Sequence, residues 1–238
     1  MDTRDIDVVI LCGGLGKRLQ VVVNDRPKPM AEINGCPFLD VLIEYIAGYG
    51  FRRFILCIGY MGDIIKQHYQ KNSGPLTILF SEEKEPLGTA GAIKNAECFI
   101  KSNPFLVMNG DSFCPVELDK FVDYHIAKKT LTTIALTKIE ENKDYGLVTI
   151  NSSDRIISFT EKTEVDNNSE LVNAGVYLFQ KDVLSLIPAN RNYSLEYNLF
   201  PTITEKRIYG YITKGNFIDI GTPERLEKAK QILAKFKF

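Results

Sequence analysis

The residues best suited to chemistry lie in Ile6-Asp-Val-Val-Ile-Leu-Cys-Gly-Gly-Leu-Gly-Lys-Arg-Leu19, with Pro27-Lys28-Pro29 just behind. An apolar run that reads as a buried strand stops at Gly13-Gly14-Leu15-Gly16, and two fixed cations, Arg18 and Lys28, follow closely. Bare backbone amides beside cations are what a polyphosphate requires. Two better-known phosphate loops are excluded. The P-loop needs Gly-Lys followed by Ser or Thr, whereas Gly16-Lys17 is followed by Arg18 and no glycine stands five residues before Gly16. The dinucleotide fingerprint needs three spaced glycines. Gly14 and Gly16 supply two, Leu19 holds the third position, and no acidic residue closes a second strand at the expected distance. A lone Gly-x-Gly is otherwise an ordinary strand-to-helix turn; Arg18, Lys28 and features downstream raise the phosphate reading above it.

The elements that must position this loop alternate in type. Ile6–Cys12, Phe54–Ile58, Leu76–Phe80 and Phe105–Met108 read as strands, the last ending at Asn109-Gly110-Asp111. Between them, Phe38–Gly48, Gly62–Gln70 and Thr89–Phe99 carry helical periodicity. This alternation predicts an α/β fold, a Rossmann-like, mostly parallel central sheet flanked by helices. Ligands bind such sheets at the carboxyl ends of the strands, which places the glycine loop and Asn109-Gly110-Asp111 on one rim. After a helix over Glu117–Ala127 the texture turns β-rich, with Leu131–Thr137, Leu147–Ile150, Ile156–Thr160 and Val172–Phe179. One short element around Lys181–Leu186 follows; the next assigned is a strand, Phe217–Ile220. Pro223 or Glu224 opens a closing helix running to Phe236. No Pro- or Ser-rich linker divides the chain. It reads as one domain over 1–238, with a half that carries the glycine loop (1–115) and a β-rich, substrate-facing half with the closing helix (116–238).

Composition narrows the function. At 238 residues the chain can bury a sizeable core. A net charge of −1 supplies no field for nucleic acid or anionic membrane. There is no signal-peptide pattern at the N-terminus, and no apolar stretch approaches the roughly 20 residues a bilayer span needs. The five scattered cysteines lack Cys-x-x-Cys pairing and read as free thiols in a reducing cytoplasm. A homo-oligomer is left open.

The chain resembles the sugar-1-phosphate nucleotidyltransferase family. The match runs through Leu11-x-Gly13-Gly14-x-Gly16-x-Arg18-Leu19, Pro27-Lys28-Pro29, Gly110-Asp111, Glu161-Lys162, Asn173-Ala174-Gly175-Val176-Tyr177 and Asp219-Ile220-Gly221-Thr222-Pro223, in family order. Within the family, Pro27–Ala31, Glu85-Pro86-Leu87-Gly88-Thr89-Ala90-Gly91-Ala92-Ile93 and Tyr193-Ser-Leu-Glu196 look most like D-glycero-α-D-manno-heptose 1-phosphate guanylyltransferases. Mannose-1-phosphate and other hexose-1-phosphate enzymes share much of this pattern. Two positions depart from it: Lys17 stands where Thr is usual, and Thr163 follows Glu161-Lys162 where Pro is usual.

The resemblance implies the nucleotide-diphospho-sugar transferase fold with a β-rich sugar-binding extension. It also implies transfer of a nucleoside monophosphate from an NTP, by the subfamily likeness GTP, to a sugar 1-phosphate. Pyrophosphate would leave, and the NDP-sugar would serve surface glycan synthesis. It gives Arg18 and Lys28 catalytic roles. It gives nucleotide contacts to Leu11, Gly13, Gly14, Gly16, Lys17, Glu82, Gly88 and Asp111, and sugar contacts to Gly146, Glu161, Lys162 and Asn173. Asp111 and Asp219 would hold Mg2+. The attacking phosphate monoester is already an anion, with a second pKa of about 6, so no general base is needed. This suits a chain whose two histidines, His68 and His125, fall in helices away from the loops. Ordinary alternatives stand beside these roles: Asx-turn caps for the aspartates, a plain helix start for Gly88, and a solvated turn for Glu82–Glu85. At the level of the whole chain, so do a non-catalytic nucleotide-sugar sensor on the same fold and a dehydrogenase that Leu19 disfavours.

Overall fold

A computed structural model describes residues 1–16, 18–72, 74–138, 146–160, 171–204 and 208–234. In chain order the elements are β1 (Asp7–Leu11), β2 (Glu32–Ile33), β3 (Cys36–Pro37), α1 (Phe38–Gly48), β4 (Arg53–Ile58), α2 (Gly62–Asn72), β5 (Thr77–Glu82) and α3 (Gly88–Asn95). They continue with β6 (Phe105–Asn109), β7 (Ser112–Phe113), α4 (Leu118–Lys128), β8 (Thr132–Lys138), β9 (Leu147–Ile150), β10 (Ile156–Thr160) and β11 (Leu171–Phe179). A 3-10 turn over Lys181–Leu186, a π-helical turn over Leu195–Leu199, α5 (Phe200–Ile203), β12 (Ile208–Ile212), β13 (Ile218–Asp219) and α6 (Pro223–Leu233) complete it.

The predicted alternation is observed. Strands β6, β1, β4 and β5 lie side by side and parallel, with Leu11 level with Cys57 on one neighbour and Asn109 on the other. Their apolar runs are near-continuous because both faces are covered. Val8, Ile10, Phe54, Leu56, Leu106 and Met108 point to the face packed by α1, α2, α4 and α6. Val9, Ile55, Cys57, Phe105 and Val107 point to the face packed by α3 and α5.

The β-rich second half extends this sheet through β11, whose C-terminal half pairs antiparallel with β6 and whose N-terminal end meets β9. Strand β8 runs along its other edge and carries β12 in parallel. The register of β11 against β8 slips between Asn173 and Tyr177. Gly175 sits in that bulge with φ +70°, where a Cβ would lie 2.8 Å from Asn109 Nδ2 and 2.9 Å from Ser112 Oγ. Glycine is required there twice over: for the left-handed backbone and for the close approach of the Asn109–Ser112 turn.

Sequence periodicity left 193–216 without assigned elements, yet the π-helical turn, α5 and β12 lie there. Each is short, Pro201 interrupts the stretch, and β12 takes its strand form from pairing with β8. Residues 235–238, the expected end of the closing helix, lie outside the described residues.

The start of β1 is anchored by buried Asp7. Its carboxylate pairs with the Arg53 guanidinium on β4 and accepts the N–H groups of Lys101 and Ser102. Asp7→Ala would strand the half-buried guanidinium and two amide donors. We expect it to cost about 3 kcal/mol of unfolding free energy in urea titration; a cost below about 1 kcal/mol would show that the anchor is dispensable.

Candidate active site

The ends of β1 and β6 build one corner of the site. The Gly110 N–H donates to the Leu11 carbonyl at 2.9 Å, and a Cβ on Gly110 would lie 2.7 Å from that oxygen. Only glycine lets the two strand ends touch. The loop leaving β1 then runs over Gly13–Gly16. Gly16 has φ +58° and packs on the Lys28 stem, whereas a Cβ on Gly14 would meet none of the described residues within 4 Å. Among the described residues, none accepts a hydrogen bond from the N–H groups of Gly13, Gly14, Leu15 or Gly16.

Lys28 is delivered by a 3-10 turn, Lys28–Met30, flanked by Pro27 and Pro29, with Pro29 and Met30 buried beneath it. Proline on both sides fixes φ and leaves the lysine little freedom of direction. Its Nζ donates to Asp111 Oδ2 at 2.6 Å; the lysine side chain is 13% exposed and the aspartate 42%. Asp111 is joined in turn to β13: the Ile220 N–H donates to the Asp111 carbonyl at 3.1 Å, and Asp219 pairs with Ser112. Asp219 Oδ1 accepts the Gly221 N–H at 2.8 Å, so the expected Asx-turn is present, and Oδ2 lies 3.3 Å from Arg225 Nη1. A Cβ on Gly221 would fall 2.6 Å from Asp219 Oδ1 and 3.6 Å from both Arg18 Nη2 and Lys28 Nζ. Arg18, Lys28, Asp111, Asp219 and Arg225 thus converge on one place. Pro223 opens α6 as expected, behind a Thr222 cap whose Oγ1 accepts the Arg225 N–H.

Beside this cluster lies a cavity of about 410 Å³ lined by residues of the glycine loop with Lys28, Glu83, Gly88, Thr89, Asn109 and Asp111. A more voluminous open cleft, about 930 Å³ against α1 and the start of β5, holds neither the loop nor the converging cations.

The far wall of the cavity is the start of α3. Gly88 has φ +71°, and a Cβ there would lie 2.8 Å from the Tyr193 carbonyl oxygen. That carbonyl accepts the N–H groups of Ala90 and Gly91 at 2.9 and 3.0 Å, and the Leu195 N–H donates to Thr89 Oγ1 at 2.7 Å. The segments Glu85–Ile93 and Tyr193–Glu196 are therefore a packed pair. Glu196 gathers the hydroxyls of Thr89, Ser194 and buried Tyr177 at 3.3, 3.0 and 3.4 Å.

Glu82 requires correction. Its carboxylate faces Lys66 at 2.6 Å on the outer surface. Strand alternation turns the next residue inward, and Glu83 lines the cavity. Glu83 Oε1 would be 2.2 Å from a Cβ on Gly13, and Oε2 accepts the Leu87 N–H at 3.1 Å. Burial raises its carboxyl above the usual range, and that amide bond offsets part of the rise.

Gly146 is exposed immediately before β9. Asn173 is engaged within β11, donating to Tyr177 Oη at 2.8 Å and accepting the Gly175 N–H at 2.9 Å. Lys17, Glu161 and Lys162 lie outside the described residues. The histidines are structural. His125 is fully buried between Thr133 Oγ1 and Gln180, and burial drives its pKa down to about 4. His68 holds Asp40 on the far side of the sheet. Cys12 lines the cavity, but burial pushes its thiol well up. Cys12, Cys57 and Cys114 are buried and Cys36 and Cys98 exposed, all with free thiols.

The donor set fits a magnesium ion. Magnesium takes one or two carboxylates and completes its shell with water and substrate phosphate. Asp111 and Asp219 are held together by the β7–β13 pairing. Beside Asp111, Asn109 Oδ1 and Ser112 Oγ are buried without a hydrogen-bond partner among the described residues.

No described helix is long and apolar enough to cross a membrane. The chain is 36% identical to a D-glycero-α-D-manno-heptose 1-phosphate guanylyltransferase of Campylobacter jejuni, over 92% of this chain and 96% of that protein. It is also 36% identical to one of Aneurinibacillus thermoaerophilus, over 97% and 100%. A mannose-1-phosphate guanylyltransferase of Mycobacterium tuberculosis is 34% identical over 94% of this chain and 63% of its own length. The crystal structure of HddC from Yersinia pseudotuberculosis complexed with GMP-PN superposes with a TM-score of 0.85 at 36% identity, covering 96% of this chain and 99% of that one. A UDP-glucose pyrophosphorylase complexed with UDP-glucose shares the fold, with a TM-score of 0.83 at 20% identity over 97% and 98%. A model of the nucleotidyl transferase family matches residues 7–235. The relationship spans nearly the whole sequence, and the chain belongs to the nucleotidyl transferase family.

Proposed function

We propose that the protein transfers GMP from GTP to D-glycero-α-D-manno-heptose 1-phosphate, releasing pyrophosphate and forming a GDP-sugar. The observation that carries the transfer chemistry is the convergence of Lys28, Arg18, Asp111 and Asp219 at the mouth of the cavity behind the glycine loop. The sugar assignment is supported by full-length similarity to two heptose 1-phosphate enzymes.

Two polyanions must meet, so the barrier is dominated by charge repulsion and positioning. The amides of Gly13–Gly16 hold the triphosphate. Arg18 neutralises the β- and γ-phosphates. Lys28 lies where the α-phosphate and the incoming phosphate share charge. A phosphate oxygen of the sugar 1-phosphate forms a bond to the α-phosphorus, the bond from that phosphorus to the α–β bridging oxygen breaks, and the electron pair leaves on pyrophosphate. No proton needs removal, in keeping with a buried His125 that stays neutral down to about pH 4. When bound at Asp111 and Asp219, magnesium would supply further neutralisation of non-bridging phosphate oxygens. Glu83 faces the base side of the cavity, where its ionised carboxylate accepts the adjacent N1–H and amino donors of guanine. Glu161, Lys162, Gly146 and Asn173 are assigned to the sugar phosphate and hydroxyls.

A matrix of four NTPs against heptose, mannose, glucose and N-acetylglucosamine 1-phosphates, read by pyrophosphate release, tests the assignment. GTP with the heptose 1-phosphate should give the highest kcat/KM. Preference for mannose 1-phosphate would replace the sugar; tight GDP-sugar binding with no turnover would make the protein a sensor. Lys28→Ala should lower kcat/KM by about a thousandfold and Asp111→Asn by about a hundredfold with the fold intact by circular dichroism. Glu83→Gln should cost about 10–100-fold in kcat/KM for GTP. Because burial raises the Glu83 pKa, guanine recognition should be full above that pKa and fade as pH falls through it. The KM for GTP should therefore rise on acidification in the wild type and by less in Glu83→Gln. An identical rise in both would show that the triphosphate alone titrates.

A further inference from the structure

Each aspartate of the proposed metal pair already has a cation. Lys28 Nζ sits 2.6 Å from Asp111, and Arg225 Nη1 sits 3.3 Å from Asp219. The two pairs meet over Gly221, where Arg18 Nη2 and Lys28 Nζ both come within 3.6 Å of the absent Cβ and Asp219 Oδ1 within 2.6 Å. Among the described residues the corner thus gathers three cationic side chains around two carboxylates. Magnesium sheds its hydration shell reluctantly and needs anionic oxygens around it. A divalent ion entering this corner alone would have to displace an ammonium and a guanidinium from its ligands while facing Arg18.

We infer that the free protein does not load the metal: Arg225 on α6 is a latch on Asp219, as Lys28 is on Asp111, and the ion enters only with the nucleotide's phosphates. The inference rests on the nucleotidyl-transfer reading of the site and goes beyond it in assigning Arg225 a role and the ion an order of arrival. A triphosphate brings enough negative charge to draw Lys28 and Arg18 onto its own oxygens, which frees Asp111. Arg225 lies on the helix side of Asp219, 24% exposed, and can swing from the carboxylate without leaving its helix. The metal site is then empty until the phosphate site is filled. Arg225 is on this account a positioning residue, acting through Asp219 and touching no substrate.

The test is Mn2+ binding to the nucleotide-free protein, followed by electron paramagnetic resonance of unbound Mn2+ and by calorimetry. The wild type should show no saturable site below millimolar Mn2+. Arg225→Gln should bind one Mn2+ at least about tenfold more tightly, because a unit charge beside the ligand has been removed. Arg225→Lys, which keeps the charge, should behave as the wild type. Micromolar Mn2+ binding by the wild type would overturn the proposal, and so would an Arg225→Gln protein that binds no more tightly. Melting curves in EDTA establish that each variant is folded. If Arg225→Gln is not, Arg18→Gln removes a cation from the same corner and should tighten Mn2+ in the same sense; no tightening there counts against the latch. Binding of GTP in EDTA, measured separately, should persist in Arg225→Gln. Failure of the wild type to bind GTP would sink the nucleotidyl-transfer reading itself, whereas the Mn2+ titration reads the latch alone.

Discussion

The ion pair between Lys28 and Asp111 ties together the two loops that leave β1 and β6, and the rest of the site is arranged around it. Each partner is fixed from behind. Lys28 is held by prolines on either side and by the buried Met30; Asp111 is held by Gly110 against Leu11 and by β13 through Ile220. The pairing of β1 with β6 sets the distance between the loops, and the buried Asp7–Arg53 pair anchors the other end of β1. A sheet whose interior is mostly apolar thus delivers opposite charges to one rim, where water and substrate reach them. Two anionic substrates can approach there only if cations are already in position, and the proline-flanked turn supplies one that pays little conformational entropy to stay there.

The glycines of the site serve different ends. Gly110 and Gly175 permit backbone and side chain to approach closely, Gly16 and Gly88 supply left-handed backbone, and Gly14 leaves open space. The last leaves its side open where the proposed triphosphate would lie; the first two are scaffold. A glycine-rich signature therefore mixes residues that make room for substrate with residues that make room for the protein.

The parallel half of the fold was legible from periodicity because its strands are buried on both faces and its helices are amphipathic. Strand β12 and the turn over Leu195–Leu199 were not, since they take their form from β8 and from the start of α3 rather than from local pattern. At the rim, Asp111 and Asp219 were singled out by the strand ends they occupy, and Lys28 by the Pro27-Lys28-Pro29 run behind the glycine loop. Glu83 was not: the Glu82–Glu85 run offers several carboxylates, and only the phase of β5 decides that Glu83 faces inward. Arg225 escaped notice because α6 reads as a docked closing helix, and its first turn is drawn to the rim by β13 pairing with β7. The likeness of Glu85–Ile93 and Tyr193–Glu196 to one subfamily has a physical basis: the second segment caps the first, whose Pro86, Gly88 and Thr89 line the cavity.

The central claim is a single in-line displacement at the α-phosphorus, driven by fixed charge and using neither a protein nucleophile nor a general base. It is tested most directly by GTP made chiral at that phosphorus by sulfur substitution, with the configuration of the GDP-sugar product determined by 31P NMR. The account predicts clean inversion. Retention would mean two displacements and a covalent nucleotidyl intermediate on the protein, and would contradict it.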